Sequence, residues 1–311
     1  MEGLGCRSNQ GSSWGVGRSR NRVIPLVGVE HFDKSLPNCN LLSAIAMSES
    51  RTLLVAQVTD THLFATADEC LLGVNTADSC QTVLDWIRGL ERQPDLLLLT
   101  GDLSQDGSAA SYERLQGLLA PLGIPAYWLP GNHDRPAVMA QVFHQPPISA
   151  QKSIFCQGWQ LLLLDSSVPD KVHGVLTPET LDWLDRELQH TQAHSVAIAL
   201  HHPPFPVGAT WMNDIGLHNT AGLLAICDRY PQVKLVLFGH IHQPFHHTHN
   251  HVHYLGSPST CIQFKPDSPT FALDPVAPGF RLLELHPDGT WQTQIERIAY
   301  SCTLDLAAAG Y

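Results

Sequence analysis

The chain is short of cations. Lys and Arg number 18 among 311 residues against 29 Asp and Glu, for a formal net charge of -11 with His neutral. A field of that sign repels polymeric nucleic acid and anionic membrane surfaces, and the absence of any Lys/Arg stripe argues against a nuclease acting on duplex DNA. A small anion stays admissible, because charges local to a pocket outweigh distant ones. Long apolar runs are missing too. No stretch of eighteen apolar residues occurs, and Leu41–Met47 is too short and too polar-flanked for a membrane span or a secretory core. None of the eight cysteines forms Cys-x-x-Cys, which argues against a zinc ribbon or a thioredoxin motif. With no clear secretory signal they read as reduced thiols in a cytoplasmic protein.

Histidine, by contrast, is abundant at 18. His246, His247, His249, His251 and His253 crowd one stretch, which reads as a solvated hairpin with incidental metal affinity. Residues 1–50 are rich in Gly, Ser, Asn and Arg and keep no structural period, so they read as a poorly ordered leader, with Met47 as a second possible start. From Thr52 the pattern becomes regular. Apolar runs predict strands at 53–58, 95–99, 126–129, 160–164, 196–200 and 234–238, alternating with helical spacing over 79–92, 111–119, 177–189 and 220–230. Thr177 and Pro178 supply an N-cap and a first helical residue. Strand-like runs follow at 252–255, 260–264, 280–285 and 291–298. This alternation predicts an α/β domain over residues 51–300, with a largely parallel core and a second packed sheet, and a tail at 301–311. Val83, Trp86, Ile87 and Leu90 form the predicted inner face of the first helix, and Trp86, Trp128, Trp159 and Trp183 read as core or sheet-packing residues.

Five short motifs stand just beyond these strands: Asp60-Thr61-His62, Gly101-Asp102, Gly131-Asn132-His133-Asp134, His201-His202 and Gly239-His240-Ile241-His242. Each alone has a plain reading as a turn or a strand end. In open α/β sheets, however, ligands bind beyond the carboxyl ends of strands, so distant loops can converge there. The set offers seven candidate metal ligands, Asp60, His62, Asp102, Asn132, His201, His240 and His242. That is more than one ion normally takes from a protein, and it suits two ions ~3.5–4 Å apart sharing a bridging carboxylate. Mixed oxygen and nitrogen donors without thiolate favour Mn, Fe or Zn over Cu(I) or an iron–sulfur cluster. Such a pair clamps the attacking and leaving oxygens of an in-line displacement at phosphorus and makes a bridging hydroxide available at neutral pH. Two divalent ions outweigh two aspartates, so the pocket stays cationic and admits an anionic diester.

In order and spacing these motifs resemble those of the calcineurin-like metallophosphoesterases. Ser257–Pro266 and Ala277–Arg281 are further similar to the C-terminal part of the bacterial class III cyclic nucleotide phosphodiesterases. The resemblance implies a four-layer α/β/β/α sandwich with two mixed β-sheets. It also implies two divalent ions, Fe2+ and/or Mn2+, with Asp60, His62 and His242 on the first, Asn132, His201 and His240 on the second, and Asp102 bridging. His133 would contact the phosphate and protonate the leaving oxygen, with Asp134 as a possible orienting carboxylate. The phosphate would also lie near His62, Asp102, Asn132 and His242. The implied activity is hydrolysis of 3′,5′-cyclic AMP to 5′-AMP, with a glycerophosphodiester or a 2′,3′-cyclic nucleotide as the other candidate substrates. A non-catalytic metal-stabilised scaffold is the third reading, and His133 argues against it.

Two departures narrow the class. Where Ser/Thr phosphatases of this superfamily carry Gly-Asp-x-x-Asp-Arg-Gly, this chain reads Gly101-Asp102-Leu103-Ser104-Gln105-Asp106-Gly107. The missing Arg suits a singly charged diester. Gln105 also stands where purple acid phosphatases carry a Tyr. His202 reads equally as a residue orienting a ligand and as a structural one. His173 and Asp106 read as loop and turn residues, and Asp165 as a cap or a partner of a ligand.

Overall fold

A computed structural model describes residues 51–310, so the expected leader lies outside the described residues. Along the chain run β1 (Leu53–Val58), β2 (Cys70–Leu71), β3 (Val74–Asn75), α1 (Thr76–Arg88), β4 (Leu96–Thr100), α2 (Ala109–Leu119), β5 (Ala126–Leu129), α3 (Pro136–Val142), β6 (Ile148–Ser149), β7 (Ser153–Cys156), β8 (Trp159–Leu163), α4 (Pro178–His190), β9 (Ser195–Ala199), α5 (Thr220–Arg229), β10 (Val233–Phe238), β11 (Phe245–His249), β12 (Val252–Gly256), β13 (Gln263–Phe264), β14 (Leu273–Asp274), β15 (Gly279–Leu285) and β16 (Trp291–Arg297).

Two six-stranded mixed sheets result. One has the order β16-β15-β1-β4-β5-β6, and the other β11-β12-β10-β9-β8-β7. The inner strands are parallel, as expected for units joined by crossover helices, and β15, β16, β11 and β7 run antiparallel. Side-chain alternation explains why the sheets stack. In β1, Leu53 and Val55 enter a core shared with Leu96, Leu98, Trp159, Leu161, Leu235 and Leu237, which lies between the sheets. Leu54, Ala56 and Val58 face the opposite way, toward Val83, Ile87 and Leu115 of α1 and α2. On the far sheet, Val196, Ile198, Val236 and Phe238 pack with Leu184, Leu188 and Leu223 of α4 and α5. Strands buried on both faces read as continuous apolar runs, which is how β1, β4, β9 and β10 appear in the sequence. The layers are helices, sheet, sheet, helices, as the resemblance implied.

Some expectations shift. Helix α1 begins at Thr76, because the Asn75 side chain accepts from Asp78 N at 2.9 Å, and it stops at Gly89. Its buried stripe is Cys80, Val83, Leu84 and Ile87, so Trp86 is turned outward and 48% exposed; the expectation that it packs inward was wrong. Trp128 and Trp159 are core residues as expected. The strand expected at 260–264 shrinks to β13. Ser259, Cys261 and Gln263 instead bond a loop beneath the first motif: Ser259 Oγ donates to Asp60 O at 2.7 Å, and Gln263 Nε2 donates to Ser259 O at 2.8 Å. The histidine-rich stretch is the β11–β12 hairpin on a sheet edge, with His246 and His247 exposed. The tail docks rather than hangs: Asp305 N donates to Leu72 O at 3.0 Å. The six cysteines among the described residues are unpaired.

The corrected α1 face gives a stability test. Ile87→Ala should cost about 2–5 kcal/mol, since it empties a fully buried site. Trp86→Ala should stay within about 0.5 kcal/mol. Urea unfolding midpoints for the two variants check the assignment.

Candidate metal centre

Every predicted ligand lies within a few residues of a strand's carboxyl end. Asp60 and His62 follow β1, Asp102 follows β4, Asn132 and His133 follow β5, His201 follows β9, and His240 and His242 follow β10. The first three strands belong to one sheet and the last two to the other, so the loops meet where the stacked sheets open. Backbone bonds lock them together. Asp60 N donates to Gly101 O and His62 N to Asp102 O, both at 3.0 Å, and Gly239 N donates to His201 O at 3.1 Å. Gln57 Nε2 ties the two sheets by donating to Thr100 Oγ1 and Phe238 O at 3.0 and 3.1 Å.

Five of these residues occupy the left-handed backbone region: Asp60 at φ 54°, His62 at 45°, Asp102 at 48°, His240 at 68° and His242 at 47°. Such a conformation is unfavourable for a side chain larger than Gly and persists where the surroundings over-determine it. Here the cross-loop bonds hold it, and the left-handed turns aim the side chains at one another. The loops approach so closely that a Cβ on Gly131 would lie 2.2 Å from Asp102 Oδ1, and one on Gly101, itself at φ 94°, 2.5 Å from His201 Nδ1.

Second partners set the rings. His201 Nδ1 donates to Thr100 O and His242 Nδ1 to Ile262 O, both at 2.9 Å, and His62 Nδ1 meets Gln105 Oε1 at 2.6 Å. With Nδ1 donating outward, each Nε2 turns inward as an acceptor. His62 Nε2 and His242 Nε2 stand 3.2 Å apart, and His242 Nε2 is 3.3 Å from Asp60 Oδ1. His201 Nε2 is 3.2 Å from both Asp102 Oδ2 and His240 Nδ1. Electron-rich atoms facing one another at these distances repel unless a proton or a cation lies among them.

The electrostatics agree. Burial drives His62 down to about 3 against the pull of Asp102, so its ring stays neutral. Burial, with His202 and His201 beside it, also holds His240 well below the usual imidazole range. Burial opposes charge on His201 as well, but the Asp102 carboxylate overrides it and raises that ring to about 9. A proton there takes the place between Nε2 and carboxylate that suits a cation. Asp102 stays well below the ordinary carboxylate range despite burial, because His201 and His133 face it. Asn132 Oδ1 is buried with no hydrogen-bond partner. Ligand atoms of Asp60, His62 and His242 lie within 4.8 Å of one another, as do those of Asp60, Asp102 and His201. The donor set fits a pair of divalent ions, with no thiolate and with both carboxylates central.

Comparison with known proteins places this geometry. The calcineurin-like phosphoesterase family matches residues 53–244. The chain belongs to the calcineurin-like phosphoesterases. It is 49% identical over 259 residues to a 3′,5′-cyclic-nucleotide phosphodiesterase of Nostoc sp., covering 83% of this chain and 97% of that protein. It is 42% identical over 274 residues to the 3′,5′-cyclic adenosine monophosphate phosphodiesterase CpdA of Escherichia coli, covering 88% and 99%. Among solved structures, a dimetal phosphatase from Danio rerio shares the fold, with a TM-score of 0.56 at 15% identity over 79% of this chain and 99% of that one.

Within this phosphoesterase, neighbouring residues take definite parts. His133 N donates to Asp102 Oδ1 at 2.9 Å, and its ring stands edge-on to His62 with centroids 5.0 Å apart. Asp134, beside it in sequence, is engaged by the backbone and α2. Its two oxygens accept from Leu103 N, Ser104 N, Gly131 N and Tyr112 Oη, so it joins two ligand loops to α2. His202 uses both ring nitrogens on structure, Nδ1 with Ser166 Oγ at 2.8 Å and Nε2 with Val172 O at 3.1 Å. Asp165 accepts from Ser167 and Asp106 from Ala65 N and Ser108 N, which are turn roles. His173 stacks on His218 at 3.8 Å. Sequence reasoning missed the scaffold partners Gln105, Thr100 O and Ile262 O. Of these only Gln105 carries a sequence signal, as a polar residue three beyond Asp102.

Two outcomes follow. Stripping divalent ions with a chelator should lower the thermal midpoint of the full chain, and re-adding Mn should restore it, because ligands that bind only the folded state stabilise it. Asp134→Ala leaves buried donors unsatisfied and should cost about 3 kcal/mol, seen as a Tm lower by roughly 6–10 °C.

Proposed function

We propose that this protein hydrolyses 3′,5′-cyclic AMP to 5′-AMP at a dinuclear centre of iron and/or manganese. The observation that carries this reading is the buried cluster of Asp60, His62, Asp102, His201, His240 and His242, with half-buried Asn132 and His133 lining the cavity beside it. The cyclic-nucleotide phosphodiesterases of Nostoc and Escherichia coli that this chain resembles support the choice of a cyclic nucleotide. Asp60, His62 and His242 would hold one ion and Asn132, His201 and His240 the other, with Asp102 between them. When bound, the ions supply positive charge for the phosphoryl oxygens and lower the pKa of water to near neutrality.

The side chains do the rest. The carbonyl of Thr100 and that of Ile262 keep His201 and His242 oriented with Nε2 toward the centre, as coordination would require. His133, fixed through its backbone N to Asp102, faces the phosphate and passes a proton to O3′ as the P–O3′ bond breaks. Oxygen from water forms the new bond to phosphorus on the opposite side, so the product is the 5′-monophosphate with a free 3′-hydroxyl. The lack of an Arg after Gly101-Asp102 matches a diester with one negative charge. The unpaired cysteines among the described residues suit a reducing, cytoplasmic setting. No helix among the described residues is long and apolar enough to cross a membrane.

Purified protein loaded with Mn should turn over cyclic AMP. Asp102→Ala and His201→Ala should lose both turnover and bound ion by elemental analysis. His133→Ala should keep its ions while kcat falls by about 10²- to 10⁴-fold. No hydrolysis across a screen of divalent metals overturns the proposal.

A further inference from the structure

We infer that an aromatic pocket beside the metal centre seats the nucleobase, with Trp211 and Phe271 as the side chains that meet it. This rests on the phosphodiesterase reading above and adds which class of ester the site prefers.

A cavity of about 360 Å³ opens against Asn132, His133 and His240; Asp170 and Lys171 line one side, Ala309 and Gly310 of the tail another, and an apolar wall is built by Trp211, Met212, Ile215, Phe264 and Phe271. Pockets that bury small ligands run from ~300 Å³ upward, mostly apolar with a few polar groups at one end. This one has that polarity: phosphate chemistry at one end and rings at the other. The rings form an edge-to-face triangle, with centroids 5.2 Å apart for Trp211 and Phe264, 5.3 Å for Trp211 and Phe271, and 5.6 Å for Phe264 and Phe271. Phe264 is buried and lies flat on His242 at 4.2 Å, so it pins the cluster to a predicted metal ligand. Trp211 and Phe271 are half-buried and line the cavity.

A glycerol or other polyol head could bond only on the Asp170–Lys171 side, because against the apolar rings its hydroxyls go without hydrogen bonds. A planar heteroaromatic base gains by stacking there. A second cavity of about 490 Å³ flanks His133, and Gln105, Asp106 and Arg135 give it a polar lining without an aromatic ring. The base therefore goes to the aromatic side.

The test compares two esters that share a six-membered cyclic phosphate, 3′,5′-cyclic AMP and the base-free cyclic phosphate of propane-1,3-diol, on Mn-loaded full-length protein. Wild type should prefer the nucleotide in kcat/KM. Trp211→Ala and Phe271→Ala should each lower kcat/KM for the nucleotide by about 5- to 100-fold, the range of a lost stacking contact, and leave the base-free ester unchanged. Retained base-free activity reports that the variants are folded and metallated. Equal loss on both esters, or no loss on the nucleotide, overturns the pocket assignment and leaves the phosphodiesterase reading standing. If wild type splits neither ester, that parent reading fails. The pocket is then judged by calorimetry with 5′-AMP against ribose 5-phosphate: tighter binding of 5′-AMP that both variants abolish supports it, and equal affinity overturns it.

Discussion

Two carboxylates, Asp60 and Asp102, lie fully buried a few ångströms from four imidazoles. Like charges in a water-poor interior destabilise one another, and nothing apolar nearby relieves them. Compensation has to come from positive charge among them, whether protons or ions. The left-handed turns, the outward-facing Nδ1 atoms and the glycines with no room for a side chain all fix where that charge sits. Loosening any one of them does not merely weaken a contact; it leaves an acid pair uncompensated inside the protein.

The two sheets make this possible by ending together. Each contributes strands whose last residues point to the same rim, so a ligand needs to travel only two to four residues beyond its strand. Gln57 spans the seam by bonding Thr100 on one side and the Phe238 carbonyl on the other. The pocket above it draws its walls from the segments between the long strands: loops around Val172 and Phe271, a short 3-10 helix at Trp211 and the two-residue β13. The centre that handles phosphorus is built on strands, and the surface facing the organic part of a ligand is built on loops, a division that lets one chemistry serve different alcohols.

Much of this was legible in the sequence. Strand runs such as Leu96–Leu99 ending at Gly101-Asp102 give both the layer and the ligand position, because apolar continuity and a polar terminus are local properties. The Asn132, His201 and His240 positions were legible for the same reason. What was not legible depends on contacts between distant segments. Trp86 and Ile87 both fit a helical stripe, and only the location of the α1 cap and the neighbouring sheet decides which one faces inward. Ser259–Gln263 alternates like a strand but bends to serve Asp60. Asp134 adjoins His133 in sequence, yet its oxygens face α2 and the backbone of the Asp102 loop. The aromatic triangle joins Trp211 of a short 3-10 helix, Phe264 of β13 and Phe271 of the following loop, and carries no pattern at all.

The pairing of β1 with β15, Leu53 opposite Leu285, has a consequence for assembly. The strand that leads to Asp60 is completed by one of the last strands, and the loop that follows β12, at Ser259, supports the Asp60 carbonyl. Closing contacts over such a separation is slow, and little rewards it until both partners exist. Early-synthesised segments therefore hold aspartates and histidines that have nowhere to converge. The full set of candidate ligands is complete only once β15 has paired with β1.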